Sequence, residues 1–378
     1  MTTGPNGDLR RKRVLLLFKA LGRGGAEQLL VNAAPYLDRD AFEYEVAYLD
    51  PKIDALAGDL VGLGLTVHCL GGTSKAAWVP RLRALVRRRK VELVHMHSPY
   101  PAVGARVALK LPGGPRLVYT EHNVWEAYHP LTRRGNLLTY WLNDHVFAVS
   151  EHVRHSIRYP SAMRFLPMPP IETLYHGLDP ASVSHWASAD GGRESLGIPQ
   201  DVPVVGTVAN FRVEKGHRYL LEAAVHVRQS FPDVRFVLVG YGRLEGAIRR
   251  QVLQMGLGRN VIFAGVRNDV PRLTASFDVF VLPSVYEGLS IALIEALSVG
   301  TPAVVTRTGG VVEVVTNGVN AVVVAPRDPV ALGDAIVSVL NDPSLRRSLA
   351  EAGKVRAADF DIRGAVRRIE AVYRGLLG

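Results

Sequence analysis

The sequence predicts an α/β protein of two tandem Rossmann-like domains facing a central cleft. Three observations predict it. Short apolar runs alternate with helix-period segments, a second such series follows a stretch rich in Pro, Gly and Ser, and 378 residues suit two cores better than one.

The first series holds VLLLF (14–18), YEVAYL (44–49), TVHCL (66–70), LVHM (93–96), LVYT (117–120) and HVFAVS (145–150). The second holds PVVGTV (203–208), RFVLVG (235–240), VIFAG (261–265), VFVLP (279–283), AVVT (303–306) and AVVVA (321–325). Most are β-branched and apolar on both faces, as buried parallel strands are. Segments between them, such as HRYLLEAAVHVRQS (217–230), repeat apolar residues at three and four. Strand and helix in alternation read as βαβ units. Residues 160–202 read as the connection, which sets a first domain at 10–177 and a second at 178–361. The closing segment 362–378 has a helical stripe of Ile362, Val366, Ile369, Val372, Tyr373 and Leu376. It either ends the second domain or returns to pack on the first. Ligands in such sheets bind beyond the carboxyl ends of the strands, so residues just after strands are the candidates.

Composition excludes several classes. A hydrophobic content of 48% supports packed cores and not a disordered chain. Cys69 alone cannot form an internal disulfide or a Cys-based zinc site, so a cytoplasmic location is expected. The VLLLF run stops at Lys19, too short for a signal peptide, and no apolar run is long enough for a membrane span. The net charge of +10 is uneven: 23 basic against 16 acidic residues through position 180, then 22 against 19. The densest cluster is RLRALVRRRK (81–90). It fits a solvated helix face in an Arg-rich chain, or peripheral contact with an anionic membrane. No nucleic-acid motif accompanies it, so nucleic acid is not an expected partner.

Four stretches carry candidate chemistry. After the first strand, Gly22, Gly24 and Gly25 precede a helix expected from Ala26. Glycines let backbone N–H groups approach an anion at a helix N-terminus. The spacing is neither G-x-G-x-x-G nor a P-loop, which leaves a phosphate-approaching loop of another kind or a tight turn. In LVHMHSP (93–99) and VYTEHN (118–123), His95, His97 and His122 fall at two strand ends. His122 reads as a proton-handling or hydroxyl-binding group, His95 as a satisfied near-core histidine, and a three-His metal site is conceivable. In VANFRVEKGHRYLLEA (208–223), Arg212 and Lys215 beside a glycine can clamp a diphosphate, or form a solvated turn with Glu214.

The fourth stretch is YEGLSIALIEALSVGTP (286–302), where Glu287 follows a strand and Gly288 and Ser290 open a helix ended by Gly300 and Pro302. Eight residues of helix span about 12 Å. Glycosidase carboxyl pairs lie about 5–5.5 Å or about 6.5–9.5 Å apart, so Glu287 and Glu295 look too widely spaced for one. The span fits instead the reach from ribose to sugar in a nucleotide sugar, with an anion-receptive helix start between. Two D-x-D triplets, Asp38-Arg39-Asp40 and Asp359-Phe360-Asp361, lie before a strand and between C-terminal helices, so no metal site is expected.

Taken in order, GRGGAEQLL, VHMHS, TEHN, FAVSEHVR, LYHGLD, FRVEKGHRYLLEA, FVLVGYGRLE, VIFAGVRNDV, the long segment around YEGLSIALIEAL, and NAVVVAPRDPVAL resemble a family 4 glycosyltransferase of the GT-B fold. The resemblance covers nearly the whole chain. Its most specific element is the E-x7-E of Glu287 and Glu295. It implies retaining transfer of a sugar from a nucleotide diphosphate sugar to a lipid, glycan or small-molecule acceptor, with no bound metal or cofactor. By position, Arg212 and Lys215 would neutralise the diphosphate, Glu287 would sit by the donor sugar, and Glu295 would accept from the ribose hydroxyls. Gly288, Leu289 and Ser290 would present backbone amides. Gly24 and Gly25 would let their loop approach the reacting centre, His122 would lie on the sugar or acceptor side, and Arg267 and Asn268 would border the base pocket. The chain departs from the family at His176, where Asn is usual, and at Ser290, where Gly is usual. A nucleotide-sugar epimerase or hydrolase of the same fold, or a non-catalytic binder, are the alternatives.

Overall fold

The computed structural model describes residues 10–72, 77–163, 165–179, 183 and 191–378. Within the expected connection, 164, 180–182 and 184–190 lie outside the described residues. The chain divides into two compact units, Met1–Tyr175 with Ile362–Gly378, and His176–Asp361.

The first unit is built on seven parallel strands: β1 (Lys12–Phe18), β2 (Phe42–Tyr48), β3 (Thr66–Cys69), β4 (Leu93–Met96), β5 (Arg116–Glu121), β6 (His145–Ala148) and β7 (Ile171–Thr173). Their order is β3-β2-β1-β4-β5-β6-β7. Side chains alternate across a strand, and here both faces are covered. Leu15 and Leu17 enter one apolar cluster while Val14, Leu16 and Phe18 enter the other. Strand β7 falls in the stretch read as connection. It is only three residues, one of them charged, and it follows Pro167, Pro169 and Pro170, so nothing in its pattern marks a strand.

The helix Ile362–Leu377 belongs to the first unit. Ala365 and Tyr373 are buried in the cluster around β1 and β2, with Ile369, Val372 and Leu376 packed beside them. Polar bonds lock it. Tyr44 Oη donates to Glu370 Oε1 at 2.7 Å, as does Asp38 N at 2.8 Å, and Tyr373 Oη meets His95 Nδ1 at 2.5 Å. Three arginines of the helix Trp78–Arg89 are engaged by the rest of the first unit although most of them stay exposed. Arg81 and Arg83 donate to backbone carbonyls, and Arg89 pairs with Glu43 and Glu45. Among the described residues no helix is long and apolar enough to cross a membrane.

The second unit has six parallel strands: β8 (Val204–Val208), β9 (Arg235–Val239), β10 (Val261–Gly265), β11 (Val279–Leu282), β12 (Ala303–Thr306) and β13 (Val322–Val324), in the order β10-β9-β8-β11-β12-β13. The winding direction reverses between β1 and β4 in the first sheet and between β8 and β11 in the second. These are the points where open α/β sheets hold ligands.

The second unit closes on itself where it begins and ends. Leu178 N donates to Phe360 O at 2.9 Å, and Leu178 bridges Asp361. A Cβ on Gly177 would lie 1.7 Å from Phe360 O. Gly177→Ala should therefore force the two segments apart and lower the stability of this unit by about 1–3 kcal/mol. Thermal unfolding checks it: an unchanged midpoint would refute the close approach.

Candidate functional site

The loops leaving β8 and β11 are neighbours, and a glycine sets how closely. Gly216 has φ +66°, and a Cβ there would lie 1.9 Å from Pro283 O. Only glycine meets both demands without strain. Val285 N donates to Glu214 O at 2.8 Å, tying the two loops.

This approach brings Lys215 onto Glu287. Lys215 Nζ donates to Glu287 Oε1 at 2.6 Å, a charge-assisted bond, and Ser284 Oγ donates to the same oxygen at 2.7 Å. Ser284 and Glu287 are buried and Lys215 is half-buried. The end of β12 and the loop after it hold the backbone: Thr306 Oγ1 donates to Ser284 O at 2.5 Å and Gly310 N to Glu287 O at 3.2 Å. Among the described residues Glu287 Oε2 has no partner. Arg212 lies on the same loop but points outward. Its side chain is 59% exposed and reaches Glu214 only at 3.9 Å.

The helix after Glu287 runs Ile291–Ser298, later than the sequence suggested. Ser290 is its N-cap, with Oγ accepting from Leu293 N at 3.3 Å. Gly288 and Leu289 therefore precede the helix, and helical rise separates only Ile291 from Glu295. The 12 Å span expected for the whole Glu287–Glu295 segment does not apply. The amides of Gly288, Leu289 and Ser290 make no hydrogen bond among the described residues. Glu295 is half-buried and its carboxyl group has no partner among the described residues. Burial raises its pKa to about 7.

His217, the first residue of the helix His217–Ser230, is buried edge-on to Phe211. Burial, helped by the charge of Lys215, pushes its pKa down to about 4, so it adds no positive charge beside the lysine. Arg267 and Asn268 follow the edge strand β10, two strands from β8. Arg267 is held bidentately by Asp269 at 2.8 and 2.9 Å, and Asn268 is exposed. No bond joins either residue to Lys215, Glu287 or Glu295.

In the first unit, the helix after β1 begins at Gly25, with Gly24 as its N-cap. A Cβ on Gly24 would lie 2.4 Å from Glu27 Oε2, so the chain's own carboxylate folds back over that helix start. Phe18 stacks on His97 with ring centres 4.5 Å apart, and His97 Nδ1 meets His122 Nε2 at 3.3 Å. His95 is buried and bonded to Tyr373 and Thr120. Of the D-x-D triplets, Asp38 accepts from its own backbone at Asp40 and Ala41 and pairs with Arg374, while Asp359 pairs with Arg356.

Two buried titratable groups escaped the sequence reading, Glu121 next to His122 in β5 and Arg106 in the helix Pro99–Leu109. Glu121 accepts from Tyr119 Oη at 3.0 Å, Trp125 Nε1 at 2.9 Å and Tyr128 Oη, and burial raises its pKa to about 7. Arg106, fully buried, lies over the Tyr119 and Tyr140 rings at 4.6 and 5.0 Å and donates to Asn136 and Asn143. An acid ending an otherwise apolar strand was the available signal for Glu121. Ser284, polar between a strand end and Glu287, was another.

Comparison with known proteins places this geometry. Residues 23–182 match the family model "Glycosyltransferase Family 4", and residues 190–356 match "Glycosyl transferases group 1". The chain is 28% identical over 303 residues to an Escherichia coli UDP-Gal:alpha-D-GlcNAc-diphosphoundecaprenol alpha-1,3-galactosyltransferase, covering 77% of each. It is 26% identical to the alpha-D-kanosaminyltransferase of Streptomyces kanamyceticus, covering 95% of this chain and 98% of that one. Among solved structures, Anabaena Alr3699/HepE in complex with UDP and glucose superposes with a TM-score of 0.83 at 22% identity, covering 96% of this chain and 100% of that one. The two-sheet architecture is thus that of GT-B glycosyltransferases.

Glu295 sets a pH-dependent stability. Its folded pKa of about 7 exceeds the ordinary 4.5, so between those values the folded chain holds a proton that the unfolded chain releases. Stability falls as pH rises through that window, and above it the half-buried carboxylate stays charged. Glu295→Gln should therefore stabilise the apo protein by roughly 1–3 kcal/mol at pH 8 and change little at pH 4.5. Unfolding midpoints of both proteins against pH decide this; a gain that ignores pH would contradict it.

Proposed function

The chain belongs to the family 4 glycosyltransferases, and on that premise we propose that it moves a hexose from a UDP-sugar to a hydroxyl of its acceptor, with retention at the anomeric carbon. The bond from that carbon to the diphosphate oxygen breaks as a new bond to the acceptor oxygen forms. The observation that carries the reading is the Lys215–Glu287 pair at the β8/β11 switch point, beside three unengaged backbone amides and a carboxylate without a partner among the described residues. Lys215 and Arg212 neutralise the diphosphate, so cationic side chains take the role a divalent metal would have. Glu287 takes a sugar hydroxyl through Oε2, and Glu295 accepts from the ribose. The amides of Gly288, Leu289 and Ser290 meet donor oxygens. Ser290 can still give its amide, because its capping role uses only the hydroxyl. Arg267 and Asn268 border the base. The uridine choice is supported by relatives that use UDP-Gal or hold UDP.

A screen of UDP-, GDP- and ADP-sugars by thermal shift tests the donor, because a ligand that binds only the folded state raises its midpoint. Glu295→Ala should weaken donor binding about tenfold or more. Lys215→Ala should slow sugar transfer by about a hundredfold or more, since leaving-group charge develops in the transition state. Normal donor affinity and turnover in these variants would refute the assignment.

The acceptor belongs to the first unit in this reading, with His97, His122 and the Gly24–Gly25 loop at the ends of β4, β5 and β1. A lipid-linked acceptor is favoured by exposed side chains on two neighbouring helices. The helix Pro130–Thr139 exposes Leu131 and Leu138, at 70% and 63%, alongside exposed Arg133 and Arg134. The neighbouring helix Pro99–Leu109 exposes Val107, and Leu111 follows it. Apolar and basic side chains together suit peripheral contact with an anionic membrane. Vesicles containing phosphatidylglycerol should bind the protein, more weakly as salt rises and less after Arg133→Glu with Arg134→Glu. Binding equal to that of neutral vesicles would remove the membrane role.

A further inference from the structure

We propose that Ser284 is a positioning residue for the donor sugar: its hydroxyl keeps the Glu287 carboxylate aimed when Lys215 leaves it for the diphosphate. This role rests on the donor reading above. Glu287 Oε1 accepts two bonds in the free protein, one from each partner, while Oε2 is without a partner among the described residues. The two partners differ in what they can do next. Lys215 ends a flexible four-carbon stem and is half-buried. Ser284 is fully buried, two residues past β11, and its backbone is pinned by Thr306 Oγ1 on one side and by the Val285 N to Glu214 O bond on the other.

A diphosphate carries more negative charge than one carboxylate, so an arriving donor draws Lys215 Nζ from Glu287. A buried carboxylate that loses its hydrogen bonds is costly. Ser284 supplies the bond that stays. It also fixes the carboxyl plane, leaving Oε2 to accept from a sugar hydroxyl. UDP alone draws the lysine in the same way but brings no sugar, and water can then serve Glu287 in place of the missing hydroxyl. Loss of Ser284 therefore acts on the sugar and not on the nucleotide.

Calorimetric titration of the full chain with UDP and with UDP-glucose separates these effects in wild type, Ser284→Ala and Ser284→Cys. Cysteine keeps the side chain's shape but is a weak donor. Both variants should bind UDP within about twofold of wild type and UDP-glucose about tenfold more weakly. Unfolding midpoints without ligand verify that the variants fold. Unchanged UDP-glucose affinity overturns the role, and so does an equal loss for both ligands, which marks a merely structural serine. If wild type binds neither ligand, the donor reading itself fails, and Ser284's role with it.

Discussion

The site depends on one missing carbon. Gly216 passes so close to the Pro283 carbonyl that no side chain fits between them, and its backbone lies in the left-handed region. From that approach follow the bond between Val285 and Glu214, the meeting of Lys215 with Glu287, and the shared oxygen that Ser284 also holds. The residues concerned are far apart in the chain. They meet because β8 and β11 are adjacent in the sheet, and because a glycine lets their loops touch.

The free enzyme leaves its charged groups in two different states. Lys215 and Glu287 are already paired, so each satisfies the other and neither charge stands alone in a half-dry place. Glu295 is the opposite, a carboxyl group with no partner among the described residues, whose proton is held more tightly because burial disfavours its charge. On the proposed reading, a ligand that brings both negative phosphates and hydroxyl donors would resolve both states at once, offering Lys215 a stronger anion and Glu295 a donor. A glycosyltransferase donor has this combination, and a simple anion does not.

Much of the fold was legible because its strands are buried on both faces, which leaves near-continuous apolar runs such as VLLLF and VFVLP. Strand β7 was not, since a three-residue strand with a central glutamate has no periodicity to read. In the site, the residue types at Arg212, Lys215, Glu287 and Glu295 were visible, as were the positions of the first three after strands and of Glu295 in the following helix. What each side chain touches was not. The capping use of Ser290, the Asp269 clamp on Arg267 and the fold-back of Glu27 over Gly24 are decided by rotamers and loop paths. Arg106 gave no signal at all: nothing in the helix pattern tells that two tyrosine rings and two asparagines make it the largest fully buried side chain among the described residues.

The last helix completes the first unit only after the whole second unit has been written into the chain. Residues His176–Asp361 are thus an insertion within a discontinuous partner. On a ribosome the second unit has all its parts before the first has Tyr373 to meet His95 or Glu370 to meet Tyr44. Until then the β1–β2 face lacks the side chains that cover it, Ala365, Ile369, Val372 and Tyr373.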